Sequence, residues 1–417
     1  MKMNTRPRLR SAALAATAFV PPLVALFVGL LAPLAATAAL VALTPGGTAN
    51  SFGASVSDDG QRVVFYSASN LTGANVDHNF EVFLYDRLSS ALRQITNDAS
   101  GIYAGSQGAQ ISGDGSRIVY QHFKQGPSNT TLFQTLAYDI QGASFSTLTT
   151  PGNFQMSDIN RDGTKISVNV DNIGLRIFDT TTTPASVGAV LASGAFSHTL
   201  SGNGNLVSFA TLTGGIALRD VTAGTTTTIL PSSTSQNLRP AISQDGQWVA
   251  FTASDNLLGQ NADGNAELYV YDVASASLRQ LTNTTGGNAH DAAISSDGSR
   301  IAFSTFSDPL GQNGDGNEEI FYYDMNDGLL TQATQTSGGQ LFNVQAALSA
   351  DGRTLAYTSN SRAGGGNGPF QIYLQDLQAP GQTVPEPPTL LLVASMLALA
   401  GWPRKRAASG PQAPAPL

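Results

Sequence analysis

Three stretches of this chain repeat one run of oxygen-bearing side chains at alternate positions. Asn75, Asp77, Asn79 and Glu81 form the first, Asn261, Asp263, Asn265 and Glu267 the second, and Asn313, Asp315, Asn317 and Glu319 the third. Such a run suits a hard cation, because calcium collects about six to eight oxygen ligands from carboxylates, amides and carbonyls. It begins like a calcium loop, but Asn stands where the first Asp is usual, and the closing Glu arrives too early. A polar turn leading into a strand would show the same residues. Two readings therefore stay open: structural turns, or up to three calcium sites.

Other chemistry leaves little trace. The four histidines, His78, His122, His198 and His290, are widely separated, and there is neither a His-Glu-x-x-His run nor a Gly-x-Ser-x-Gly elbow. No cysteine is present, which excludes disulfides, thiolate zinc sites and a cysteine nucleophile. No Gly-rich loop leads from a strand into a helix, and no basic aromatic patch points to nucleic acid. The expectation is a non-catalytic protein with no certain cofactor, calcium being the one candidate. Groups that meet only in space would escape this reading.

The elements that carry these loops come as a repeat. Ser57-Asp58-Asp59-Gly60-Gln61-Arg62-Val63-Val64-Phe65 returns from Ser243 to Phe251, from Ser296 to Phe303 and from Ala350 to Tyr357, with weaker copies at Asp114-Gly115, Asp162-Gly163 and Asn203-Gly204. Seven units spaced by 41 to 55 residues indicate propeller blades. Each unit reads as four strands: a short one before the Asp-Gly turn, one apolar on both faces, one ending in Asp, and a more polar outer one. Tyr85-Asp86, Tyr138-Asp139, Phe178-Asp179, Tyr271-Asp272 and Tyr323-Asp324 mark the third strand, while Arg219-Asp220 and Gln375-Asp376 keep only the acid. These aspartates are expected to bond turn backbone.

Unit seven runs out after Leu377, and its missing strand matches Leu40-Val41-Ala42-Leu43-Thr44. The expected fold is thus all-β, a seven-bladed β-propeller over residues 39–378, closed by the mature N-terminal strand. The motif Ser-x-Asp-Gly-x-(Arg/Trp)-(Val/Ile)-Ala-Phe, with Glu-(Ile/Leu)-(Tyr/Phe)-x-Tyr-Asp after it, resembles the TolB-type propeller repeat. That resemblance implies a fold and a binding role, since the repeat serves many functions.

The two ends carry addresses. Lys2, Arg6, Arg8 and Arg10 precede an apolar stretch, and Ala36-Thr37-Ala38 fits a secretory cleavage site, so residues 1–38 read as a signal peptide. A Pro-rich linker at 379–388 contains Pro385, Glu386 and Pro387. An apolar segment at 389–403 and a tail at 404–417, opening with Arg404, Lys405 and Arg406, follow. The basic cluster would stay cytoplasmic, and the apolar core is short for a permanent span. The order of these parts resembles the PEP-CTERM sorting signal of Gram-negative bacteria. That resemblance implies an exosortase as processing partner, transient anchoring in the inner membrane, and final delivery to the cell surface or the extracellular space.

The leader holds four and the tail three of the 21 basic residues, and the tail holds one of the 29 acidic ones. Residues 39–383 therefore keep 14 basic against 28 acidic side chains, a net charge of −14 that repels nucleic acid. The expected role is a binding or scaffold module at the surface, with a glycan or matrix protein as partner. Two alternatives remain: a polysaccharide-active enzyme with its site at a channel mouth, and a periplasmic TolB-like envelope partner.

Overall fold

The computed structural model describes residues 40–98, 104–170, 173–235, 238–362 and 365–377. In blade one the strands Ser51–Val56, Arg62–Ser67, Glu81–Asp86 and Ala91–Gln94 pair in chain order, all antiparallel. Six further four-stranded sheets follow, so the seven-bladed all-β propeller read from the repeat is the fold. Among the described residues, the one helical element is a 3-10 turn at Pro127–Asn129. Each first strand contacts the first strand of the next blade, all the way round to blade one. These seven strands therefore line a central channel.

Blade seven takes its outer strand from the other end of the sequence. Leu40–Ala42 pairs with Asn367–Asp376, setting Leu40 opposite Gln375 and Ala42 opposite Tyr373. The Leu43 N–H donates to the Ile372 carbonyl at 2.8 Å, and the Ile372 N–H donates to the Thr44 hydroxyl at 3.0 Å. Leu43 and Thr44 are both buried. Closure gives the third strand of blade seven the outer partner that the other third strands find within their own blades.

The repeat becomes packing through its middle strands. Phe65 lies opposite Phe83, Phe251 opposite Tyr269, Phe303 opposite Phe321 and Tyr357 opposite Tyr373, each pair stacked at 5.5–6.1 Å between ring centres. Blade faces share these rings: Phe65 and Phe83 pack with Ile372 and Leu374 of blade seven. Burying such a side chain contributes roughly 1.5–3 kcal/mol.

The turns between first and second strands form a belt around one end of the channel. Inside each turn the acid or Asn caps its own backbone; the Ser57 hydroxyl and the Gln61 N–H both donate to Asp59, and Gly60 takes φ 68°. Between turns the backbone links Asp58 to Gly113, Asp114 to Arg161, Arg161 to Gly202, Gly202 to Gln244, Gln244 to Ser296, Asp297 to Ala350 and Ala350 to Asp58. Asp58 also reaches across this end, accepting from the Ser296 hydroxyl at 2.8 Å and meeting Arg161 at 2.7 Å.

The strand-end aspartates do bond turn backbone in six blades, as Asp86 does with Ser89 and Asp272 with Ala274. Asp376 instead takes the Arg87 guanidinium of blade one through both oxygens.

The leader with Ala36 and Ala38, and the tail with Pro385, Glu386, Pro387, Arg404, Lys405 and Arg406, lie outside the described residues. Among the described residues no helix is long and apolar enough to cross a membrane.

Candidate functional site

At the end of the channel opposite the belt, the first strands begin. In five blades the pairing of first and second strands shifts register near this end. A bulge of this kind bends the strand and re-aims a side chain. Counting four residues back from the Ser or Asn that opens each turn gives Gly53, Gly108, Met156, Ser197, Arg239, Asp291 and Gln345. Gly53 and Gly108 have φ near 60°, where glycine carries no Cβ penalty. Asp291 and Gln345 adopt the same conformation, at φ 52° and 55°. A side chain held there costs energy, which surrounding contacts must offset.

Those contacts run from blade to blade at this one repeat position. The Arg239 guanidinium meets the Asp291 carboxylate at 3.3 Å, and the Gly53 N–H donates to Gln345 Oε1 at 3.0 Å. His290, beside Asp291, completes the cluster. Its Nε2 pairs with Glu318, which is 2% exposed, and its Nδ1 faces Asp291 at 3.6 Å, too long for a hydrogen bond. Burial alone would lower the His290 pKa, but Asp291 and Glu318 override it and hold it up at about 9. The ring is therefore an imidazolium at neutral pH. Burial would raise Asp291, yet His290 and Arg239 keep its carboxyl below the usual range.

An arc of aromatic rings adjoins the cluster. His290 lies 6.3 Å from Phe306, Phe306 6.3 Å from Phe342, Phe342 6.5 Å from Phe370 and Phe370 5.2 Å from Phe52. Tyr66 and Phe80 extend it, with centres 5.4 Å apart. Burial raises the Tyr66 phenol, and the Arg239 charge opposes the shift. The mouth thus combines a cation, an imidazolium, two carboxylates and apolar ring faces, none of them repeated in every blade.

The three Asn-x-Asp-x-Asn-x-Glu runs lie in the loops between second and third strands, each closing glutamate being the first residue of the third strand. Their glutamates are already engaged: Glu81 accepts from the Thr96 hydroxyl and the Asp98 N–H, Glu267 from Thr282 and Thr284, and Glu319 from Thr334, Thr336 and Asn343. Asn75, Asn261 and Asn313 each donate from Nδ2 to the carbonyl of Asn79, Asn265 and Asn317 respectively, at 2.8–3.0 Å. Asn79 and Asn317 then donate to the carbonyls of Asp98 and Thr336, and Asn265 to that of Thr284. Glu and Asn together clasp each loop to the segment entering the next blade. Among the described residues, no group of three His, Cys, Asp or Glu side chains is placed to hold a metal.

The remaining histidines stand apart from the mouth cluster. His122 pairs with Asp98 at 3.0 Å, His78 lies in a loop at φ 56°, and burial depresses His198 to about 4. Arg239, Asp291, Gln345 and Glu318 were not singled out from the sequence. The signal that could have found them is variation of charge and size at one position inside an otherwise regular repeat.

No family model matches the chain, and no curated protein matches it in sequence. Solved structures do share its fold. The oligogalacturonate lyase from Vibrio parahaemolyticus is similar at TM-score 0.56 and 14% identity, over 81% of this chain and 93% of that one. An oligogalacturonate lyase in complex with manganese is similar at TM-score 0.54 and 15% identity, over 82% and 94%. TolB from Acinetobacter baumannii aligns at 22% identity over 67% and 68%, with TM-score 0.36.

These likenesses correct the expectation of a non-catalytic chain. Propellers of this build include proteins named as lyases, so the lack of a linear catalytic motif excludes nothing. The physical reason is that a propeller can bring side chains of separate blades together at one mouth, as it does Arg239 from the segment entering blade five and Asp291 from blade six.

Proposed function

We propose that this protein is an exported, surface or extracellular propeller that acts on a glycan held at the channel mouth lined by blades one, five, six and seven. The observation that carries this reading is the non-repeating cluster Arg239–Asp291–His290–Glu318 beside the aromatic arc. Residues repeated in every blade serve the fold, whereas an active site needs an asymmetric set of groups. Phe306, Phe342, Phe370 and Phe52 offer apolar faces for sugar rings, and Arg239, more than half exposed, offers paired donors to a carboxylate or vicinal hydroxyls. His290 is held charged by Glu318, and its Nδ1–H is the donor left for a ligand oxygen. It fits the role of general acid in hydrolysis, giving its proton to the departing oxygen as the glycosidic bond breaks while water adds to the other fragment.

Location rests on the sequence alone. The leader and the PEP-CTERM-like tail support export from a Gram-negative cell, transient inner-membrane anchoring and exosortase processing.

The test is incubation of the protein with oligogalacturonate and with neutral oligosaccharides, products being separated by chromatography. Wild type is expected to shorten at least one of them. His290→Gln is expected to lose about 100-fold or more in rate, the usual contribution of a general acid. The reading fails if no glycan is bound or shortened, or if Arg239→Ala and His290→Gln work as well as wild type.

A further inference from the structure

We propose that the loops at 75–81, 261–267 and 313–319 each hold a calcium ion, between the side-chain oxygens of their two asparagines and the aspartate that separates them. The argument starts from an accounting of polar atoms. Asn75, Asn79, Asn261, Asn313 and Asn317 are each at most 3% exposed, and Asn265 is half-buried. In all six the Oδ1 atom is sealed from solvent and accepts no hydrogen bond. Buried polar groups are satisfied in more than roughly nine cases in ten, so an orphan calls for a water or an ion. Here the orphans come in pairs, two in each loop that carries the run.

The amides cannot be turned to remove them. Asn75, Asn261 and Asn313 use Nδ2 on a loop carbonyl, and Asn79, Asn265 and Asn317 use theirs on the carbonyl of the following segment. Exchanging N for O would set oxygen against oxygen at every one of these contacts. The bond from Asn75 to the carbonyl of Asn79 ties together the two residues of that loop whose oxygens are orphaned, and the same holds in the other two.

Asp77, Asp263 and Asp315 stand two residues from each asparagine; Asp315 accepts from the Gly338 N–H through Oδ2 at 2.7 Å, so Oδ1 is the oxygen it would add to a set of hard donors that water can fill out. The glutamates are not part of the set, since their oxygens are spent on Thr hydroxyls and backbone N–H groups. A body with net charge −14 also draws divalent cations toward it.

The full chain, stripped with a chelator, would be titrated with calcium chloride by calorimetry and melted with and without the ion. Three ions per chain and a midpoint rise of several degrees are expected, because a ligand that binds only the native state stabilises it. Asp77→Ala, Asp263→Ala and Asp315→Ala together are expected to remove the calcium-dependent rise, read as the difference between the same variant with calcium and in chelator, because Asp315 also accepts from the Gly338 N–H. If the triple variant does not fold, each single variant should lower the stoichiometry by one. The proposal is overturned if wild type shows neither heat nor shift in millimolar calcium, or if the variants bind as wild type does.

Discussion

Arg239 and Asp291 occupy the same position of the repeat in neighbouring blades and meet at 3.3 Å at the channel mouth, Asp291 from a backbone at φ 52°. The equivalent residue in blade one is Gly53, which pays no such cost. An aspartate that retains this conformation holds charge where the fold alone would accept glycine.

Removing that charge while keeping the shape isolates its effect. Asp291→Asn should lower the pKa of His290 from about 9, because one of the two carboxylates that hold it up is lost. Titration of the imidazole by NMR reads this directly. An unchanged value would mean that Glu318 alone sets it.

The same ring predicts how stability depends on pH. The pKa of His290 is raised in the folded state, so its contribution is fully present below the unfolded value near 6.5 and is lost as pH rises through about 9. Chemical denaturation from pH 6 to 10 should show that loss in wild type and a smaller one in His290→Gln.

Blade closure is tested at Leu43. Leu43→Ala removes a buried side chain where the N-terminal strand joins blade seven, and is expected to cost about 2–4 kcal/mol. Thermal and denaturant melts would check it. A loss under about 0.5 kcal/mol would show that the terminal strand adds little to the ring.

The loop clasp is tested at Glu267. Glu267→Ala leaves the Thr282 hydroxyl and the Thr284 N–H and hydroxyl without their acceptor inside the blade. Stranded buried donors cost about 1–3 kcal/mol each, so a loss of at least 2 kcal/mol is expected by equilibrium unfolding. An unchanged midpoint would show that water replaces the carboxylate.

At the belt, Asp58→Ala would take away the partner of both Ser296 and Arg161. The backbone ring of seven turns stays, so a modest destabilisation of about 1–2 kcal/mol is expected rather than unfolding. A full loss of the cooperative melt would mean that Asp58, not the backbone belt, holds this end together.

Much of this molecule was settled by local sequence. The Asp-Gly turns, the doubly apolar strands from Val63 to Phe65 and their copies, and the Leu40–Ala42 match to a missing outer strand specify seven sheets, because turn chemistry and burial pattern act over a few residues. The repeat even located the Asn-x-Asp-x-Asn-x-Glu loops. What it could not give was their internal bonding, since whether Glu81 faces a cation or Thr96 depends on a segment fifteen residues away. Nor could it give the mouth. Arg239, His290 and Glu318 are separated by 51 and 28 residues and belong to no shared motif. Only the folded ring brings them to one charged cluster, because Arg239 enters from blade five while His290 and Glu318 come from the first strand and a loop of blade six, and linear spacing carries no record of that meeting.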